Sequence, residues 1–267
     1  MQERHLDKEK YFEEQAYTAL KYIIPYVTPH IKPGLGKRVL EIGCGEGGNL
    51  KPFIEAGCKA TGVDLSESKI ENGQRFFENH PNKKRLNLIC EDVYNMPEPE
   101  KPFDLIFMRD VIEHIHNQEK FMHFVKRFLA PGGFFFLAFP PWQNPFGGHQ
   151  QICRNRILAK TPWIHLLPVK LYAAMLKLGG EPPARIEALL EIKQTGLSIE
   201  RFEKILKKEH FEIVRKDFFF INPNYKVKFG LKPRKTPLFL WKLPWFRNFF
   251  TTSAYYLITR KGYRRND

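Results

Sequence analysis

Apolar residues along this chain fall into short blocks, each closed by glycine, proline or an acidic residue. Val39, Leu40 and Ile42 form a run that stops at Gly43, the pattern of a buried strand opening into a sharp turn. Lys59–Asp64, Leu86–Cys90 and Phe103–Met108 are the next strand-like runs, and Leu129-Ala130-Pro131-Gly132-Gly133 turns into a fifth, Phe134–Phe139. Helical spacing appears over Tyr11–Val27 (Phe12, Ala16, Ala19, Leu20 and Ile23 inward), with Pro25 and Pro29 expected to break it. A helix after the first turn should end at Gly57, and Ser66 with Glu67 reads as the cap and first turn of another. Beyond Phe139 the pattern changes. A turn-rich loop, Pro140–Gln150, precedes a helix at Pro168–Leu178 that is apolar almost all round, so it should be covered. Glu181-Pro182-Pro183 separates that helix from another near Ala184–Lys193. Ser198 caps a further helix with Ile199, Phe202, Ile205 and Leu206 inward. It leads to strand-like runs at His210–Val214 and Ala254–Thr259.

The turn after Ile42 carries the chemistry. Gly43, Gly45 and Gly48 satisfy a dinucleotide-binding spacing, which alone is a weak signal. Glu41 discriminates, because a carboxylate two residues before the first glycine repels a pyrophosphate. It suits a ligand that carries an ammonium and a sulfonium, which points to S-adenosylmethionine. Asp64, at the tip of the second run, is placed to hold two ribose hydroxyls, a position that an NAD enzyme uses equally.

With these motifs in order, the chain resembles the class I S-adenosylmethionine-dependent methyltransferases, specifically the small-molecule and quinone-biosynthesis-like branch. Their first motif has the form acidic–x–Gly–x–Gly–x–Gly, here Glu41, Gly43, Gly45 and Gly47. The resemblance implies an α/β fold: a Rossmann-like, doubly wound seven-stranded sheet with the last strand antiparallel, here with an inserted helical cap. It implies that Asp64 and Leu65 border the ribose, that Asp92 accepts from the adenine amino group, and that Val93 offers its backbone N–H. Arg109, following the fourth run, joins the cofactor-binding set; Cys44 is a backbone contact with no thiol chemistry. An N-terminal helix would cross the cofactor edge, where Tyr11, Phe12 or Tyr17 either faces the sulfonium or packs in the ordinary way. The implied divisions are 1–36 (N-terminal helical segment), 37–140 (cofactor-binding core), 141–197 (cap over the active site) and 198–267 (the rest of the core).

Charge adds a second theme. The 267 residues carry a net +14, yet residues 1–140 hold 19 basic and 20 acidic side chains while residues 141–267 hold 24 and 9. Residues 222–252 contain seven Lys or Arg, no acid, and Tyr225, Phe229, Phe239, Trp241, Trp245, Phe246, Phe249 and Phe250. Three uses are open for this insertion: an anionic membrane surface, stacking on single-stranded nucleic acid, or packing beneath the cap. No apolar run reaches the roughly 18 residues of a spanning helix, the first residues do not resemble a signal peptide, and Cys44, Cys58, Cys90 and Cys153 show no paired or metal-ligand spacing. A cytoplasmic protein, with membrane association open, and no metal site are therefore expected.

Methyl transfer to a hydroxyl benefits from a base. His149, in Gly147-Gly148-His149, is the first candidate and His114 the second, although either could simply brace a loop. The run after the fourth strand, Arg109-Asp110-Val111-Ile112, lacks the Pro-Pro-aromatic motif of base-amine methyltransferases, and Pro140-Pro141-Trp142 stands after the fifth strand instead. These features favour O-methylation of a small amphiphilic, lipid-linked or glycan-type acceptor. The alternatives are an RNA or protein methyltransferase that docks through the basic half, and a nucleotide binder or NAD-linked oxidoreductase.

Overall fold

The computed structural model describes residues 7–262. Among the described residues, eight strands form one sheet: β1 (Arg38–Ile42), β2 (Lys59–Asp64), β3 (Leu86–Cys90), β4 (Phe103–Arg109), β5 (Leu129–Phe139), β6 (Phe211–Ile221), β7 (Arg234–Lys235) and β8 (Ser253–Arg260). Their order is β3-β2-β1-β4-β5-β8-β6-β7. The first five run parallel, β8 lies antiparallel between β5 and β6, and β7 is antiparallel to β6. The sheet thus has one strand more than the seven expected. The extra strand is two charged residues that no hydrophobic period could reveal.

The parallel strands are apolar on both faces because helices cover both. Period-two alternation divides them. Val39, Leu105, Phe107 and Phe136 pack with Phe53, Tyr26 and Tyr255 on one face, while Leu40, Ile106, Met108, Phe135 and Leu137 pack with Phe121, Phe202 and Tyr256 on the other. Ser198 accepts a hydrogen bond from Arg201 N–H and starts the helix Ile199–Lys208, whose four predicted apolar residues are buried. Ser66 stands at the start of the helix Glu67–Phe76 but makes no side-chain cap; its N–H donates to Asp64 Oδ1 instead.

Two local expectations fail. Pro25 does not break the N-terminal helix: Lys8–Thr18 passes through a wide π turn, Ala19–Ile23, into Ile24–Val27. The wider turn absorbs the missing proline N–H. Its extra residue shifts the register, so Ala19 and Ile23 are buried and Leu20 faces out. The helix Val169–Leu178 is not covered either. Only Tyr172 and Leu176 are buried, in a small separate core with Cys153, Leu158, Ile164 and Leu189, while Val169, Leu171 and Leu178 are exposed.

Residues 222–252 lie against the sheet's antiparallel side. Glu200 anchors them by accepting from Trp245 N–H, Arg247 Nε and Asn248 Nδ2 at 2.6–2.9 Å. Trp241 packs on Phe218, with ring centroids 4.8 Å apart. Phe229, Phe239, Trp245 and Phe246 are exposed, and the small core of the 141–197 insertion contains none of the segment's aromatics.

Candidate active site

The carboxyl ends of the parallel strands converge on a cavity of about 820 Å³, the edge of an open α/β sheet where ligands bind. Gly43, Gly45, Asp64, Leu65, Asp92, Val93, Arg109 and His114 line it. So do Tyr11 and Gln15 from the N-terminal helix, and Asn49 from the glycine turn. Glu41, Cys44, Gly47 and His149 are not among the lining residues.

The glycine turn owes its shape to backbone that side chains disfavour. Gly43, Gly45 and Gly47 all have φ between 56° and 79°, the left-handed region that glycine tolerates. Gly48 serves differently: a Cβ there would sit 2.4 Å from the Phe12 carbonyl oxygen, so its bareness lets the N-terminal helix close on the turn. Asp64 ties the turn to the second strand, accepting from Gly45 N–H at 2.8 Å and Ser66 N–H at 2.9 Å. Asp92 accepts from Tyr94 N–H at 2.9 Å and caps the turn Val93–Asn95. Cys44 is buried and its N–H donates to the Val63 carbonyl. Burial raises its thiol pKa, followed by the charge of Glu41, so the sulfur is inert at neutral pH.

Glu41 stands behind the wall. Its side chain is 1% exposed and accepts from Asn49 Nδ2 at 2.6 Å. Burial pushes its carboxyl up to about 8, against the opposing effects of the Asn49 hydrogen bond and the Arg109 charge. Among the described residues, several buried atoms of this wall lack partners: Glu41 Oε2, Asn49 Oδ1 and Gln15 Oε1 as acceptors, and Arg109 Nη1 as a donor. Of the three N-terminal aromatics, Tyr11 lines the cavity. Phe12 is buried against Phe76 and Phe77, and Tyr17 is exposed.

Two histidines stand beside the cavity. His114 borders it, and His149 lies against His114 with ring centroids 4.9 Å apart. Burial lowers both, His149 to about 4, so both imidazoles are neutral at pH 7. His149 holds φ 56° at the head of the turn Gln150–Ile152, an uncommon conformation for a residue with a Cβ. Glu113 joins the pair: one donor atom from each of Glu113, His114 and His149 lies within 4.8 Å of the other two. The sequence shows no metal-ligand spacing because His149 is a whole strand away from the other two. The 141–197 insertion lines none of the cavity and meets its rim at two places, His149 against His114 and Glu191 hydrogen-bonded to His116 at 3.1 Å. Sequence reasoning passed over Asn49, Gln15 and Glu113; only Glu113, beside a singled-out histidine, gave any signal.

A family model described as a methyltransferase domain matches residues 12–175. The chain is 28% identical over 131 residues to the sterol 4-C-methyltransferase of Caenorhabditis elegans, covering 49% of this chain and 39% of that one. It is 31% identical over 121 residues to the ubiquinone biosynthesis O-methyltransferase of Coxiella burnetii, covering 45% and 48%. These matches span less than half the length of the two relatives. Among solved structures, the geranyl diphosphate C-methyltransferase of Streptomyces coelicolor aligns with a TM-score of 0.57 at 12% identity, over 89% of this chain and 78% of that one, a likeness of fold.

Proposed function

The chain belongs to the methyltransferase-domain family, in its class I S-adenosylmethionine-dependent form, and from that premise we propose that it methylates a hydroxyl of a small amphiphilic acceptor drawn from an anionic lipid surface. When bound, S-adenosylmethionine supplies an electrophilic methyl carbon on a sulfonium. The observation that carries the cofactor reading is the set of orphaned polar atoms in one wall. Asn49 Oδ1 and Gln15 Oε1 are acceptors suited to the ammonium, with the Glu41 carboxylate behind them, and Arg109 Nη1 is a donor suited to the carboxylate. Asp64 takes the ribose hydroxyls on lone pairs left free by the two backbone N–H groups. Asp92 and Val93 take the adenine edge, and Tyr11 offers its ring to the sulfonium.

The chain's work in the transfer is alignment and exclusion of water. The N-terminal helix covers the glycine turn, and the Glu113–His114–His149 group, which borders the cavity through His114, activates the acceptor hydroxyl. The acceptor's class is argued from residues 222–252. The exposed Phe229, Phe239, Trp245 and Phe246 beside Lys226, Lys228, Lys232 and Lys242 suit rings at headgroup depth and ammonium groups on lipid phosphates. The segment also reaches the site, because Lys228 lies within electrostatic reach of His149 and Tyr225 within reach of Asp110. Among the described residues no helix is long and apolar enough to cross a membrane, so the contact is peripheral.

Calorimetry with S-adenosylmethionine and with NAD, each alone, tests the cofactor: binding of the first and none of the second is expected, and the reverse refutes it. Co-sedimentation with phosphatidylglycerol vesicles tests the surface. Salt-steep binding to single-stranded RNA with no vesicle binding would transfer the segment to a nucleic-acid role.

A further inference from the structure

Three donor groups meet beside the cavity where the acceptor would enter. Glu113 and His114 occupy the turn after β4 and His149 the loop after β5, with His114 Nε2 4.0 Å from Glu113 Oε1. Glu113 is the anomaly. It is 3% exposed, and among the described residues neither carboxyl oxygen accepts a hydrogen bond from another residue. Buried carboxyls are almost always paired, since an unpartnered one carries the full cost of leaving water. Burial first, and then Asp110, raises its carboxyl well above the usual carboxylate range, a cost that a bound cation would offset. A cation would account for it together with the two imidazoles, each with a nitrogen within 4.8 Å of the other donors.

Three hydrogen bonds hold the loop that carries His149. Trp142 N–H donates to the Leu197 carbonyl at 2.9 Å, Gln150 Nε2 donates to the Pro145 carbonyl at 2.9 Å, and His149 N–H donates to the Phe146 carbonyl at 3.0 Å. A non-glycine residue kept in the left-handed region by such bonds is a common sign of a functional position. The surrounding charges are mixed. Asp110 faces both Glu113 and His114, and Glu191 also faces His114. Lys69 opposes them from the His114 side, while His165 and Lys228 face His149.

We propose that Glu113, His114 and His149 bind one divalent transition-metal ion of the zinc class at the acceptor end of the cavity, with an open coordination position for the acceptor oxygen. Two imidazole nitrogens and one carboxylate favour zinc and its neighbours over magnesium or calcium, which prefer oxygen donors. Ligand bonds of about 2.0–2.2 Å require the donors to draw together by roughly 1 Å from their present spacing. His114, whose side chain is 41% exposed, has room to rotate; Glu113 and His149 must close on the ion by small shifts of their own. An ion there supplies the positive partner that Glu113 lacks and lowers the pKa of a coordinated hydroxyl, whose proton passes to water. This catalytic use rests on the proposed methyl transfer; the binding of the ion does not.

The test uses the full chain, stripped with EDTA and returned to chelator-free buffer. Calorimetry with Zn²⁺ should give one equivalent, and Co²⁺ should produce a visible absorption band from bound nitrogen ligands. Glu113→Gln and His149→Ala should each weaken Zn²⁺ binding on the order of 10- to 100-fold, the loss seen when even the outer partners of metal ligands are removed. His114→Asn, at the most open of the three positions, guards against variants that fail to fold. Zn²⁺ binding unchanged in all three variants, or none in the parent chain, overturns the site. S-adenosylmethionine calorimetry on the same samples separates the proposals: metal bound without cofactor sustains this site and sinks methyl transfer, whereas cofactor bound without metal does the opposite.

Discussion

The parallel strands with their glycine turn and the segment 222–252 use the same residue types in opposite ways. Phe107, Phe135, Phe136 and Phe139 on β4 and β5 are fully buried, whereas Phe229, Phe239, Trp245 and Phe246 are half or more exposed. Charge follows the same division. In the first region Asp64 and Asp92 bind backbone N–H groups at the strand ends. In the second, seven basic side chains share a stretch without an acid, and the carboxylate that holds the stretch, Glu200, belongs to another helix. The first arrangement encloses a small ligand. The second presents a broad apolar and cationic face, which a monomeric surface rarely does without a partner.

The contrast can be broken from either side. The largest effect is expected from Gly48→Val, whose added atoms would collide with the Phe12 carbonyl and Gln15. It should cost about 1–3 kcal/mol of stability in a urea titration and at least about tenfold in S-adenosylmethionine affinity, because the helix must lift from the cavity. Parent-like binding would remove that helix from the enclosing wall. Next comes Glu200→Gln, which weakens three hydrogen bonds to one charged acceptor and should cost about 2 kcal/mol. Limited proteolysis should then cut within residues 238–250 first. Substituting Phe239, Trp245 and Phe246 together by Ser should leave thermal stability within about 2 °C and reduce vesicle binding at least about tenfold. A large stability loss with vesicle binding unchanged would mean that these rings pack rather than present.

The smallest effect concerns pH and sharpens the enclosed side. Burial holds the Glu41 carboxyl near 8 in the free protein, so at pH 7 it is mostly neutral, and a cationic ligand must drive its proton off. Affinity for S-adenosylmethionine should rise about fivefold between pH 7 and 8 and level off above. Proton release measured in buffers of different ionisation enthalpy checks it. Stability of the free protein runs the other way, falling as pH climbs from the unfolded carboxyl range toward 8, since the folded chain keeps a proton that the unfolded chain gives up. Glu41→Gln should flatten both profiles.

What the sequence made legible was local. Val39, Leu40 and Ile42 announce a buried strand, Asp64 falls at a strand tip, and the glycine spacing specifies a turn, because each signal lies within a few residues. Pairings between distant residues left no such mark. Nothing near Arg234 and Lys235 reveals that Ile221 and Phe219 will receive them as strand partners. His114 and His149 come together only because β4 and β5 are neighbours. The helix Val169–Leu178 shows the limit of composition: an apolar surround predicts burial, yet burial needs a neighbour, and the fold supplies one for Tyr172 and Leu176 alone. Pro25 failed as a breaker because proline forbids one hydrogen bond, which the π turn had no need to make.

The two-residue strand at the end of the sheet also bears on how this molecule survives in a crowded solution. A protein that displays this much bare aromatic surface would invite copies to zip together along any long open strand. Here the terminal strand is too short to template another, and both its residues are cationic, one of them, Lys235, neutralised by Asp217 next door. The rest of the β6 margin carries Glu212, Arg215 and Lys216. At this rim of the sheet stickiness is thereby confined to a patch that can meet a surface broadside, while the charged edge itself discourages fibre growth; the opposite rim, β3, carries no such charge.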